Sequence, residues 1–300
     1  MPDEAYAASP EPEQDGLSAP PDGLVLVSTP IGNLGDMTPR ARAALRAADL
    51  VLCEDTRHTS RLLSAIGVKA RLQPLHEHNE DAAIPAVLDL LRQGRRVALV
   101  SDAGVPLVSD PGYRLVRAAI AEGLAVGALP GANAAVMALV LSGLPPMPFL
   151  VLGFPPPRQA ARRASFGSIR AAERAGLAAT LIWYEAPHRL AETLAAAVEV
   201  LGPSRGAAVC RELTKKHEEV RRGTLAELAE GAVDDPVRGE VTVVLAGAAP
   251  AAAPSVDSLV DAVQERVAAG ERLKDAAAAV AEAAGVPKRE LYNAALAARD

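Results

Sequence analysis

Aromatic residues are scarce, making up 3% of a 300-residue chain that is 50% hydrophobic. The core must therefore be built mostly from Ala, Leu and Val. Cysteine is nearly absent. Cys53 and Cys210 both fall at the ends of predicted strands, which reads as two small core residues in a reducing compartment and excludes a disulfide framework or a CxxC pair. No apolar run reaches the roughly 18–20 residues of a membrane span, and the first residues lack the basic-then-apolar pattern of a signal segment. The expectation is a cytoplasmic protein with no membrane partner. There is no GxxxxGK[ST], which excludes a P-loop, no GxGxxG to support a dinucleotide site, and no GxSxG elbow.

The formal net charge of −6 at pH 7 has one source. Asp3, Glu4, Glu11, Glu13, Asp15 and Asp22 stand in a Pro-rich segment without Lys or Arg, and the remainder balances 31 acidic against 31 basic residues. Residues 1–22 are expected to be disordered. The neutral body excludes bulk electrostatic binding of nucleic acid.

What the chain does have is strand, turn and helix in alternation. Predicted strands cover Leu24–Ser28, Leu50–Cys53, 96–100 and 125–128, with helices after Thr38, through Leu62 and Ile66, after Asn79, and over 111–122 and 133–142. This alternation implies a mostly parallel sheet covered on both faces. Pro and Gly cluster at Ser142–Pro148. Beyond them strands are expected at 149–153, 179–184, 206–211 and 240–246, and helices at 158–175, 187–201 and 225–230. Some pairing there should be antiparallel. The reading is an α/β fold with domains over 23–143 and 148–247, an Ala/Pro linker, and a small helix-turn-helix-like module over 255–300.

The richest segment is Ser101–Gly112, SDAGVPLVSDPG, directly after the apolar run 96–100. Ligands in open α/β sheets bind at the carboxyl ends of strands, and this turn brings two carboxylates and a bare backbone there. Pro111 is expected at the first position of the next helix with Asp110 as its N-cap. Three more turns follow strands: Thr29–Asp36, Glu54–His58 and Leu129–Ala134. Their shared position predicts one continuous cleft.

Together these turns resemble the tetrapyrrole-methylase fold group of S-adenosylmethionine (SAM) methyltransferases, and within it the small-subunit rRNA methyltransferase I family. STPIGNLGD at 28–36, EDTR at 54–57, Ser101–Gly112, YEAPHR at 184–189 and RELTKK at 211–216 are similar to that family's motifs in the same order. The resemblance runs from about Leu24 to Gly247 and plausibly through the last helices. It implies a two-domain class III SAM methyltransferase fold, SAM as methyl donor, no metal, and transfer to the 2′-hydroxyl of a cytidine in the decoding centre of 16S rRNA. The partner it implies is the 30S subunit, and the fold group commonly forms homodimers. By the same resemblance, Pro30, Gly32, Asp102, Ala103, Gly104, Val105, Pro130, Gly131, Ala132 and Asn133 should surround SAM. Trp183, Leu213 and Ala246 are candidates for the adenosine wall.

Methyl transfer to a ribose hydroxyl needs in-line positioning and benefits from proton removal. Glu54, Asp55, Asp102, Glu185, His188 and Lys215 are the groups that could take part. Asp102 is the first choice because its turn places it at the cleft, and Lys215 could act as a base only with a lowered pKa. Arg158, Arg162, Arg163, Arg170 and Arg174 fall on one predicted helix, as an RNA-facing surface or as a solvated face. Phe154 could stack on a base or lie in the core. His76-Glu77-His78 reads as a loop capping the following helix rather than a metal pair. The rival reading is a SAM-dependent methyltransferase of a precorrin-type tetrapyrrole, which would want basic residues in the cleft. A non-catalytic nucleic-acid binder would rest on the terminal helices alone, which are not basic.

Overall fold

The computed structural model describes residues 21–248 and 255–298, so residues 1–20 of the expected disordered tail and most of the Ala/Pro linker lie outside the described residues, while Asp22 pairs with Arg96 at 3.0 Å. The first half runs β1 (Leu24–Val27), α1 (Pro39–Ala47), β2 (Leu50–Cys53), α2 (Thr56–Ala65), β3 (Leu72–Pro74), α3 (Glu80–Arg92), β4 (Val97–Val100), α4 (Tyr113–Ala121), β5 (Val126–Leu129) and α5 (Ala134–Ser142). The second half runs β6 (Phe149–Val151), α6 (Gln159–Arg174), β7 (Thr180–Glu185), α7 (Leu190–Leu201), β8 (Gly206–Arg211), β9 (Glu219–Thr224), α8 (Leu225–Asp234) and β10 (Val241–Leu245). Three helices close the chain: α9 (Val260–Ala268), α10 (Leu273–Ala284) and α11 (Lys288–Ala297).

The first sheet has the order β3-β2-β4-β1-β5, and its pairs are parallel. Every residue of β2 and β4 is buried, as strands covered on both faces require. One face packs on Ala41, Leu45, Leu62 and Leu63 of α1 and α2, the other on Val87, Leu91 and Leu115 of α3 and α4. The second sheet, β6-β7-β10-β8-β9, pairs β6 with β7 in parallel and the rest antiparallel. One of its faces packs on Phe166, Leu194 and Leu228 of α6, α7 and α8. The other packs on Ala135, Ala138 and Leu139, so α5 of the first half supports the second sheet.

Two strands escaped the sequence reading. β3 is three residues ending in Pro74, and β9 reads Glu-Val-Arg-Arg-Gly-Thr. Both are edge strands, where charge and proline suit a boundary with solvent and hide the alternation of a core strand. A further correction concerns α4. It begins at Tyr113 behind Gly112, which sits at φ 118° with no side-chain cap. Asp110 is therefore not an N-cap, and its carboxyl is left for another use.

The chain divides into two compact units, one carrying both sheets and one made of residues 171–179 with the stretch from Gly247 onward. The terminal helices hold their own small core of Val263, Ala276, Ala277, Ala281, Leu291 and Ala295. Gly285 at φ 67° ends α10, as a left-handed C-cap demands. Both cysteines are free and buried.

Candidate active site

The four turns meet around the end of β1. Thr29 and Gly104 exchange backbone hydrogen bonds of 2.9 and 3.1 Å. The Thr29 hydroxyl donates to the Ser101 carbonyl at 3.0 Å, and the Ser28 hydroxyl to the Leu129 carbonyl at 2.9 Å. The Asp55 amide donates to Asp102 Oδ1 at 3.3 Å. Small residues permit this closeness. A side chain on Gly131 would put Cβ 2.7 Å from Ser28 Cβ, and one on Gly32 would lie 2.4 Å from Lys215 Cγ.

Two cavities open beside these turns. The first, of about 350 Å³, runs between the sheets and is lined by Asp102, Gly104, Asp110, Asn133, Tyr184 and Thr242, among others. The second, of about 480 Å³, is polar and lined by Glu54, Asp55, Thr56, Arg57, Pro74 and His76. Asp102 lines both. No Lys or Arg lines the first cavity among the described residues, whereas Asp102, Asp110, Glu185 and Glu240 do.

The sequence-predicted residues divide. Asp102, Ala103, Gly104, Val105 and Asn133 line the first cavity. Pro30, Gly32, Pro130, Gly131 and Ala132 belong to the same knot of turns without lining it. The Ala132 carbonyl stands 3.4 Å from the position a Gly104 Cβ would take, so it helps set the width of the cleft. The three candidates for the adenosine wall do not line this cavity. Trp183 faces the opposite side of the second sheet, edge-on to Phe166 in the core. Leu213 is buried in the cluster under α5, and the Ala246 amide is spent on Gly206. Neighbouring strand residues point to opposite faces, so Tyr184 lines the cavity, joined by Gly239, Val241 and Thr242. Phe154 is 57% exposed, lines the same cavity, and lies 5.7 Å from the Tyr184 ring.

The proton-transfer candidates divide as well. Lys215 Nζ sits 2.9 Å from Glu212 and 3.1 Å from Glu240. Burial works against its charge, but these two carboxylates win and hold the ammonium above its ordinary pKa. The lowered pKa that a base here would need is not what these surroundings favour; the Lys215 stem fills the space Gly32 leaves. Glu185 is consumed by Arg189, Thr193 and the Ala186 amide. His188 is exposed on the short helical turn Pro187–Arg189 and does not line the cavity. Asp55 is held below the usual carboxylate range by hydrogen bonds from Arg57, backbone amide first. Burial pushes Glu54 up, with Asp110 and Asp102 adding and His76 opposing. Burial also raises Asp110, against the neighbouring Ser101 hydroxyl and with Asp102 adding.

Of the expected arginine stripe only Arg162 is buried; Arg158, which precedes α6, Arg163, Arg170 and Arg174 stay exposed. Arg162 is buried at 1% exposure and pairs with Glu192, Arg163 pairs with Glu199, and Arg170 donates to the Val200 carbonyl. These three hold α6 to α7. In the His76 segment the Asn79 side chain makes no cap bond to α3 but accepts from the His76 amide at 2.7 Å, and the His76 carbonyl accepts from the Glu80 amide. No cluster of metal-ligating side chains occurs among the described residues.

Two family profiles match the chain. "Tetrapyrrole (Corrin/Porphyrin) Methylases" covers residues 23–229 and "RsmI C-terminal HTH domain" covers 252–299. The chain is 48% identical over 279 residues to "Ribosomal RNA small subunit methyltransferase I" of Mycobacterium tuberculosis, covering 92% of this chain and 95% of that one. It is 45% identical over 275 residues to the protein of that name from Halalkalibacterium halodurans, covering 90% and 93%. Among solved structures, the methyltransferase CobJ aligns at a TM-score of 0.55 with 20% identity, covering 76% of this chain and 95% of that one. This last likeness shows the fold alone.

Proposed function

The chain belongs to the ribosomal RNA small subunit methyltransferase I family, and from this premise we propose that it transfers a methyl group from SAM to the 2′-hydroxyl of a cytidine in the decoding centre of 16S rRNA. The observation that carries the reading is the pair of cavities meeting at Asp102, one largely apolar and one polar. A donor and an acceptor brought to one carboxylate from two sides is what an in-line displacement needs.

The residues present fit SAM. The first cavity lies within the size range of small-molecule sites. Ile31, Val105, Val108 and Val241 give it apolar walls, and its carboxylates suit a cationic sulfonium and ammonium. Gly104 at φ 87° leaves the backbone bare at its floor. SAM supplies an activated methyl group, and this chain's residues orient the two reactants and exclude water. The acidic lining disfavours a polyanionic tetrapyrrole, which would need cations in the cavity. An RNA acceptor presents only a neutral sugar hydroxyl there and keeps its phosphates outside.

The test is incubation with labelled SAM and 30S subunits that lack ribose methylation, followed by mass spectrometry of the nucleosides. Label on a cytidine 2′-oxygen is expected. SAM binding without label on 30S subunits or naked 16S rRNA would sink the rRNA reading. The 30S subunit fits as the substrate because the surrounding RNA would present the ribose. Such a substrate places the protein in the cytoplasm, which suits two free buried thiols.

A second copy of the chain is the partner that fits the outer face of α5. Val136, Met137 and Val140 are exposed there, and Val140 and nearby Met147 are 68% and 74% exposed. Burying such side chains is worth roughly 1.5–3 kcal/mol each. Sedimentation velocity of Val140→Asp with Met147→Asp should give a monomer where the parent protein sediments as a dimer. A monomeric parent protein at micromolar concentration would rule the dimer out.

A further inference from the structure

The carboxylates lining the first cavity are Asp102, Asp110, Glu185 and Glu240, and two of them, Glu185 and Glu240, are paired with cations. Asp102 Oδ1 accepts from the Asp55 amide. Glu185 is held by Arg189 and Thr193. Glu240 pairs with Lys215. Asp110 lies in no ion pair among the described residues, and its polar neighbour is the Ser101 hydroxyl.

The turn carrying Asp110 is one of two strained stretches of the described backbone, the other holding Glu212 and Thr214. Leu107 at φ 72° and Ser109 at φ 69° are both left-handed without being glycine, and Gly112 at φ 118° follows. Each such non-glycine residue costs about 1–3 kcal/mol and persists only where the surroundings fix it. The fixing is visible. Gly112 leaves no room for a Cβ against Leu99 Cδ2 at 2.5 Å, and Ser109 Oγ lies 3.4 Å from where a Gly153 Cβ would stand in the second sheet's loop. The distortion delays the start of α4 to Tyr113 and leaves Asp110 on the cavity rather than at the cap.

We propose that Asp110 is the catalytic base of the methyl transfer, accepting the proton of the acceptor hydroxyl beside Asp102. The inference rests on the rRNA 2′-O-methylation reading and deepens it. The hydroxyl proton goes to the Asp110 carboxylate while the oxygen bonds to the sulfonium methyl carbon. The S–CH3 bond breaks with its electron pair passing to sulfur, leaving a neutral thioether, and the Asp110 proton then leaves to solvent. The groups that face Asp110 set its basicity. They are Asp102 on its own turn, Glu54 from the end of β2, Tyr184 from β7, and the Ser101 hydroxyl from the end of β4. Burial first, and then the Asp102 carboxylate, make it a stronger base than a free Asp.

The experiment uses the full chain with Asp110→Asn and Asp110→Glu. SAM affinity is measured by calorimetry, which also reports folding, and single-turnover transfer to undermethylated 30S subunits is followed across acid to neutral pH at saturating SAM. The parent protein should lose rate as pH falls through a value above the ordinary 3.8 of an Asp, since only the ionised carboxylate accepts a proton. At saturating SAM, which offsets any lost attraction for the cationic donor, Asp110→Asn should lose about a hundredfold or more in rate and lose that acid limb. Asp110→Glu should keep the limb with a moved midpoint. A parent-like rate in Asp110→Asn, or a loss confined to SAM affinity and cured by saturation, overturns the proposal. Failure of the underlying reading shows separately, as no transfer by the parent protein, and takes the proposal with it.

Discussion

Gly112→Ala should destabilise the protein by about 2–5 kcal/mol and weaken SAM binding at the same time. Two costs combine. At φ 118° any L side chain is strained by about 1–2 kcal/mol. The new Cβ would also lie 2.5 Å from Leu99 Cδ2 and 2.8 Å from Leu107 Cδ2, and overpacking of this kind costs about 1–3 kcal/mol. Leu99 is 1% exposed in β4, so it has little room to yield. The strain therefore falls on the turn that lines the cavity. Gly123→Ala is the control: its φ is 69°, yet nothing lies within 4 Å of the added carbon. It should show the backbone cost alone, with SAM affinity kept. Urea unfolding and calorimetry measure both quantities. Equal losses in the two variants would show that the packing around Gly112 is not what fixes the turn.

The sequence made the scaffold legible because turn chemistry and alternation are local. The four turns, the parallel first sheet and the mixed second sheet follow from residue patterns that need no knowledge of the partner face. The site was less legible for a related reason. β7 reads Thr-Leu-Ile-Trp-Tyr-Glu and is almost wholly buried, so neither face looks polar and nothing local says whether Trp183 or Tyr184 meets the cavity. Only the packing of Phe166 against Trp183 decides it. The α6 arginines show the same limit. Their spacing places them on one face, but α7 offers Glu192, Glu199 and the Val200 carbonyl to that face. Asp110 was misassigned because Asp-Pro-Gly before an apolar helix satisfies the pattern of an N-cap. Left-handed Leu107 and Ser109 override that pattern, and no local rule foretells a left-handed Leu.

Glu185 carries the other large effect, and it separates a structural carboxylate from a catalytic one. Its side chain is fully buried. It accepts from Arg189 at 2.7 Å, from the Thr193 hydroxyl at 2.5 Å and from the Ala186 amide at 2.8 Å. Three donors from β7's end and the start of α7 thus converge on one carboxylate, which fixes how the helix leaves the sheet. Glu185→Ala would leave the Arg189 cation without its partner, and Arg189 Nε is already buried and unpaired. Breaking a buried pair costs about 3–5 kcal/mol; Arg189 is 21% exposed, which favours the low end of that range. Glu185→Gln keeps the shape and one acceptor but removes the charge, and should cost roughly 1–3 kcal/mol. A structural Glu185 predicts that the folded fraction of Glu185→Gln still transfers methyl groups within about tenfold of the parent rate. A base at this position predicts little change in stability and a loss of about a hundredfold or more in turnover. Thermal unfolding beside single-turnover transfer distinguishes the two, and the second pattern would return Glu185 to the chemistry and displace Asp110 from it.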